Sequence, residues 1–121
     1  MVSVRYLVKD VETSIRFYTE CLGFDLEQQF GPAMAIVSKG ELNLWLAGPV
    51  SSAAQAMPDG RKPEPGGWNR FVFQVEDLNA LVTQLRAKNV AFRNEIVKGP
   101  GGAQILCEDP SGNVIELFQP A

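Results

Sequence analysis

The chain carries one local pattern twice, and this repeat limits the folds that it can adopt. Residues 2–8 alternate between two faces, as a β-strand does. Asp10 follows as a predicted helix N-cap, and Gly23 ends a helix of about three turns. Three short β-like stretches come next, at 24–30, 33–38 and 41–47.

The second half repeats this order. Residues 70–75 are predicted to form a strand, Asp77 a helix N-cap and Asn89 the C-cap. Val8-Lys9-Asp10 corresponds to Val75-Glu76-Asp77, and three further β-like stretches follow at 91–97, 103–108 and 113–119. A unit of strand, helix and three strands therefore occurs twice, which predicts an α+β fold whose strands keep one face free of the helices.

The chain has 121 residues and 45% hydrophobic content, which predicts one domain over residues 1–121. We divide it into module one at 1–47, a linker at 48–68 and module two at 69–121. The linker is rich in Pro, Gly and Ser and lacks either hydrophobic period. We favour a simple connection between the modules over a lid that closes on a binding site. Trp68, at the end of the segment, is the residue that supports the lid alternative.

Charge and composition exclude several classes of partner. The formal charge is −3, and no signal peptide or membrane-spanning run is visible, so we expect a cytoplasmic protein that binds neither nucleic acid nor membrane. This charge favours a cationic or neutral small molecule. Cys21 and Cys107 lie far apart and are expected to be buried thiols in a reducing compartment. The chain has no histidine, which removes the commonest general base and metal ligand.

Several motifs resemble the vicinal oxygen chelate superfamily, which contains glyoxalase I, bleomycin-resistance proteins and extradiol dioxygenases. The motifs are Tyr6-Leu-Val-Lys-Asp10, Ser14-Ile-Arg-Phe-Tyr18, Leu22-Gly-Phe24, Val75-Glu-Asp77-Leu78, and Asp109-Pro-Ser-Gly-Asn113 with the strand that follows it. The resemblance implies two βαβββ modules that form a curled, cup-shaped mixed sheet with the helices on its outer face. It also implies a homodimer.

The resemblance further implies where a metal would bind in this fold. The corresponding positions here are Ser3, Asn43, Arg70 and Glu116, and only Glu116 is a residue type that the family uses as a ligand. Arginine offers hydrogen-bond donors alone and stays charged, so it opposes a cation. We therefore expect no metal and no cofactor.

Strand alternation assigns a set of side chains to the free face of the sheet. Arg70 and Glu116 are expected to pair there, either as a structural ion pair or as groups that orient a ligand. Trp45 either packs under the linker or stacks on a planar ligand. The candidate ligand-binding residues are Ser3, Arg5, Asn43, Trp45, Arg70, Val72, Gln74, Glu116 and Phe118.

These observations favour a metal-independent small-molecule binding protein of the glyoxalase/bleomycin-resistance type, which sequesters a planar or cationic compound. The alternative is a glyoxalase-like lyase or dioxygenase-like enzyme with an atypical metal site around Glu116, or with Glu116 as a catalytic base. A structural dimer or accessory subunit is a third interpretation.

Overall fold

The structure is a computed structural model that describes residues 2–121. The first half of the chain forms a four-stranded mixed sheet. The strand order is β1-β4-β3-β2, with β1 parallel to β4 and the other pairs antiparallel. Helix α1 (Val11–Leu22) follows β1 and packs on this sheet. The strands are β1 (Val4–Leu7), β2 (Asp25–Phe30), β3 (Met34–Lys39) and β4 (Leu42–Ala47).

The second half repeats this arrangement. Its strand order is β5-β9-β8-β6, β7 also pairs with β8, and β5 runs parallel to β9. Helix α2 (Leu78–Ala87) follows β5. The strands are β5 (Val72–Gln74), β6 (Ala91–Phe92), β7 (Val97–Gly99), β8 (Gly102–Glu108) and β9 (Val114–Pro120). The predicted α+β class and the duplicated unit are confirmed.

Local sequence signals set the helix boundaries. The Asp10 carboxylate accepts a hydrogen bond from the Thr13 backbone N–H at 2.9 Å, and Gly23 adopts a left-handed conformation with φ of 71°. Asp77 caps α2 in the same way. Asn89 is predicted as the C-cap of α2, but the C-cap is Lys88, one residue earlier. Asn89 follows Lys88 and adopts the left-handed conformation.

The predicted strand at 91–97 is wrong in one respect, because it is broken into β6 and β7. Between them, the side-chain oxygen of Asn94 accepts the hydrogen bond of the Leu106 backbone N–H at 2.9 Å. A side chain thus replaces the strand carbonyl that would normally pair there. The Arg93 guanidinium reaches away from the strand to the carbonyl oxygens of Gly67 and Gly112.

The two modules share one hydrophobic core, and buried polar contacts join them. The Tyr18 hydroxyl donates to Asp109 Oδ2 at 2.8 Å, and the Asn113 side-chain amide donates to the Leu7 carbonyl at 2.7 Å. Tyr18, Phe17 and Phe24 are buried in this core. The turn before β9 is therefore fastened to the first module.

The two thiols differ in burial. Cys107 is fully buried, and burial raises its pKa to about 12. Cys21 is only half-buried, so the prediction of two buried thiols is wrong for this residue. Burial raises the pKa of the Cys21 thiol, and the positive charge of Lys88 partly opposes this effect.

Residues 48–68 contain a short 3₁₀ turn (Ser52–Ala54) and are bonded at both ends. The Gly48 N–H donates to the Ala33 carbonyl at 2.8 Å, and the Gly66 N–H donates to Asn113 Oδ1 at 2.8 Å. The division into two modules and a linker stays a prediction. Within residues 2–121, neither helix has the length and apolar character needed to cross a bilayer.

Candidate functional site

Arg5 and Trp45 lie side by side on the free face of the first sheet. They are register partners in the parallel β1–β4 pair, and the Arg5 guanidinium carbon lies 5.0 Å from the Trp45 ring centroid. A cavity of about 420 Å³ opens beside them and is lined by Ser3, Val4, Arg5 and Trp45. Because Trp45 is only half-buried, part of its ring surface faces this cavity.

The first sheet contributes further residues that sequence reasoning missed. Ile36 lies opposite Trp45, and Ser38 lies opposite Asn43. The intervening residue Val37 is fully buried in the core, so its two neighbours point to the other face. The alternation of residues 34–38 carries the signal that could have identified them.

Arg70 and Glu116 form the predicted ion pair on the second sheet. Arg70 Nη2 and Nε both donate to Glu116 Oε1, at 2.8 and 3.1 Å, and Nη1 donates to the Trp68 carbonyl at 3.2 Å. The exposed fraction of the Glu116 side chain is 11%, and that of Arg70 is 28%. The carboxylate is thus held by a guanidinium that is itself anchored to the end of the linker segment.

The remaining second-sheet residues surround this ion pair. Val72 is the register partner of Glu116, and Gln74 is the register partner of Phe118. Val72, the first residue of β5, is 55% exposed, which is unusual for a valine. Val114, two residues before Glu116 on β9, is fully buried, and its carbonyl accepts a hydrogen bond from the Tyr6 hydroxyl at 2.9 Å.

The candidate residues form two separate groups. We call Ser3, Arg5, Asn43 and Trp45 the first-sheet group, and Arg70, Val72, Gln74, Glu116 and Phe118 the second-sheet group. Across the described part of the chain, no hydrogen bond, ion pair or aromatic contact joins one group to the other. The structure therefore assembles each group but does not bring the two together.

The donor set does not fit the divalent metal that the fold family implies. Among residues 2–121, no three Cys, Asp or Glu side chains lie close enough to hold an ion. Glu116 Oε1 already accepts two N–H groups from Arg70, and a guanidinium has no lone pair to offer. Ser3 and Asn43 belong to the other group, so within one chain Glu116 lacks the oxygen partners that Mg²⁺ would need.

Another cavity, of about 510 Å³, lies where the two modules meet on the helix side. Two of its polar groups are already used: the Lys88 ammonium donates to the Glu20 carbonyl, and the Ser111 hydroxyl accepts from the Lys9 backbone N–H. Burial raises the pKa of the Cys21 thiol at its wall, so the thiol is not activated.

Comparisons with known proteins agree with this fold. The chain is 27% identical to a putative lactoylglutathione lyase of Brassica oleracea var. gemmifera over 96% of its length, but it spans only 43% of that protein. It is 28% identical to the crystal structure of TnmS3, an antibiotic binding protein from Streptomyces sp. CB03234, with a TM-score of 0.70 and coverage of 100% of this chain and 97% of that one.

A lactoylglutathione lyase from Agrobacterium tumefaciens superimposes with a TM-score of 0.75 at 18% identity, and the match covers 98% of this chain and 92% of that one. At this identity the likeness concerns the fold alone. A family model matches residues 1–117. The chain belongs to the Glyoxalase/Bleomycin resistance protein/Dioxygenase superfamily.

Proposed function

We propose that the protein binds a planar small molecule without a metal and without converting it chemically. The observation that carries this proposal is the Arg70–Glu116 ion pair. The one carboxylate of the ligand type that the family uses is occupied by a guanidinium at 2.8 Å. A metal at this carboxylate would lie next to a guanidinium that donates two hydrogen bonds to Oε1, and the two positive charges would repel each other.

The first-sheet group offers what a binding site for a flat molecule requires. Trp45 supplies a half-buried aromatic surface, Ile36 extends it with apolar area, and Asn43 and Ser38 supply polar atoms on the same face. The 28% identity to TnmS3 supports binding as the function, since that protein is described as an antibiotic binding protein.

A homodimer would complete the site. β1 pairs with β4 and β5 with β9, each with one strand only; the Leu7 carbonyl at the end of β1 is taken by Asn113, but the rest of both edges has no strand partner within residues 2–121. A second copy that docks on these edges would bring its second-sheet group over the first-sheet group. The ligand would then lie between two chains, with the exposed Val72 near the contact.

Metal analysis and ligand titration test the proposal together. After dialysis against a chelator and then metal-free buffer, we expect less than a stoichiometric amount of any transition metal. Titration of a panel of planar aromatic compounds should give saturable quenching of tryptophan fluorescence. A stoichiometric metal that survives dialysis, or no quenching across the panel, would overturn the proposal.

A glyoxalase-like lyase remains the second candidate, because the plant relative that matches 96% of this chain is named as such an enzyme. The test is turnover of the hemithioacetal of methylglyoxal and glutathione, with and without added Ni²⁺ or Zn²⁺. The Glu116→Gln variant is the matched control, because it keeps the size of the side chain and removes the charge. Turnover that this variant abolishes would establish the enzyme and contradict the binding proposal.

A further inference from the structure

We infer that the ligand of this site is a planar aromatic anion, such as an aryl carboxylate, whose ring packs on Trp45 and whose negative group is bound by Arg5. This inference rests on the proposed function, because it names the class of ligand for the same face. It replaces the cationic ligand that the net charge of the sequence favoured.

Arg5 differs from most of the other arginines in having no carboxylate partner. Arg70 is paired with Glu116 and Arg93 with Glu108, both at 2.8 Å, and the arginines of the exposed pairs at positions 61 and 86 also have acidic partners. Within residues 2–121, no Asp or Glu oxygen lies at ion-pair distance from Arg5. An unbalanced positive charge therefore stands at the wall of the 420 Å³ cavity.

The surroundings of Arg5 on the same face do not supply a compensating charge. Its register neighbours across the sheet are Trp45 and then Ile36. Glu27 lies beyond them on β2, three strands from Arg5, which corresponds to roughly 14 Å at the usual spacing of strands. Glu27 also accepts a hydrogen bond from the Ser38 hydroxyl. The charged group closest to a ligand beside Arg5 is therefore the positive guanidinium of Arg5 itself.

In the proposed dimer, the net charge of the groups around the ligand is also positive. A second copy would add Arg70 and Glu116, which neutralise each other, so the three charged groups together carry one positive charge. The formal charge of −3 on the whole chain acts more weakly at this point, because salt screens exposed charges beyond about 10 Å.

The contact of Arg5 with Trp45 leaves the guanidinium available to an anion. The guanidinium carbon lies over the ring at 5.0 Å from its centroid, and within residues 2–121 its N–H groups donate no hydrogen bond, so they remain available to a ligand. A carboxylate can accept two such bonds at once. Trp45, which lines the same cavity, offers apolar surface for the ring of the ligand.

The test compares three naphthalene compounds of similar shape and different charge. They are 2-naphthoate, 2-naphthamide and 2-naphthylmethylammonium, and the anthracene series repeats the comparison. The Trp68→Phe background leaves Trp45 as the single tryptophan reporter, and calorimetry of the parental protein checks the same affinities. We expect the carboxylate to bind about tenfold tighter than the amide, with the ammonium compound weakest.

Variants of arginine then assign the preference to one residue. Arg5→Gln should lower the affinity for naphthoate about tenfold and leave that for naphthamide unchanged. Arg16→Gln is the matched control, because Arg16 is an exposed arginine on α1, which packs on the opposite face of the sheet. It should leave both affinities unchanged. Added salt should weaken naphthoate binding alone.

The outcomes separate the two proposals. If no compound of any charge binds, the proposed function fails and the inference fails with it. If the amide or ammonium compound binds as tightly as the carboxylate, or if Arg16→Gln weakens naphthoate binding as much as Arg5→Gln, the inference alone is overturned. Arg5→Lys keeps the charge and loses the planar fork, so it should retain part of the preference for the anion.

Discussion

Glu116 depends on Arg70 because its carboxylate is nearly buried and Arg70 supplies the two N–H groups that its Oε1 accepts. A buried carboxylate that loses its partner pays the full cost of desolvation. The two residues therefore act as one unit, and substitutions of one or both distinguish a structural pair from a pair that contacts the ligand.

We predict that Arg70→Met destabilises the fold by about 2 kcal/mol, less than for a fully buried pair, because the Arg70 side chain remains 28% exposed. The double variant Arg70→Met/Glu116→Leu should recover most of this loss, since no charge is then left without a partner. Urea unfolding of the two variants and the parental protein gives the comparison.

Ligand titration of the same proteins settles the role of the pair. If the double variant folds and binds ligand as the parental protein does, the pair is structural. If it folds and loses the ligand, the pair belongs to the binding site. An equal loss of stability in the single and double variants would contradict the interdependence argued here.

At the level of elements, the turn between β8 and β9 connects three parts of the chain through Asn113. Its Nδ2 donates to the Leu7 carbonyl at the end of β1 and to Asp109 Oδ2, at 2.7 and 3.0 Å. Its Oδ1 accepts from the Gly66 N–H at 2.8 Å. One buried side chain thus joins the first strand, the turn and the end of the linker segment.

Asn113→Ala should therefore lower the free energy of unfolding by about 3 kcal/mol, because several buried polar groups lose a partner together. It should also speed proteolysis within residues 55–65, since the end of that segment is released. Asn79→Ala, in an exposed position of α2, is the control and should change neither. Unchanged proteolysis in Asn113→Ala would show that the segment is held by other contacts.

Elements whose signals are local could be predicted from the sequence. Asp10, Gly23 and Asp77 act within one helical turn, so their side-chain chemistry is readable without knowledge of the fold. The break between β6 and β7 could not be predicted, because it depends on a contact between Asn94 and Leu106 that only the folded sheet creates. Strand parity placed the candidate residues on faces, but it carries no information on how the faces of two sheets meet.

At the scale of the whole molecule, the shared core makes the stability depend on buried groups that must stay protonated. Burial raises the pKa of Cys107 from its ordinary value of 9.0 to about 12, and that of Tyr6 from 10.0 to about 12. Above pH 9 the unfolded chain loses these protons while the folded chain keeps them. The folded state therefore loses stability as the pH rises.

We predict that the free energy of unfolding falls between about pH 9 and 11, by up to about 1.4 kcal/mol per pH unit for each such group. Cys107→Ala should reduce the slope of the free energy of unfolding against pH at the lower end of this range, where tyrosine is not yet ionised. Val82→Ala, at another buried position, should lower the stability at every pH without changing the slope. Urea midpoints across this pH range give the slopes, and equal slopes in the two variants would contradict the assignment to Cys107.

The assembly of the candidate site also belongs to this scale, because the first-sheet and second-sheet groups lie on one chain without contact between them. If a second copy unites them, a charge at the exposed end of the second group should block both assembly and binding. Val72 is 55% exposed on the edge strand β5. Lysine on a strand edge opposes pairing with another chain.

We therefore predict that the parental protein sediments as a dimer and that Val72→Lys converts it to a monomer with ligand affinity reduced at least about tenfold. Val50→Lys adds the same charge at a valine that is 70% exposed in the linker segment, and it should leave both assembly and affinity unchanged. Sedimentation equilibrium and ligand titration of the three proteins make the comparison. A parental monomer that binds ligand at full affinity would show that one chain suffices, and the two groups would then have to meet by a rearrangement within it.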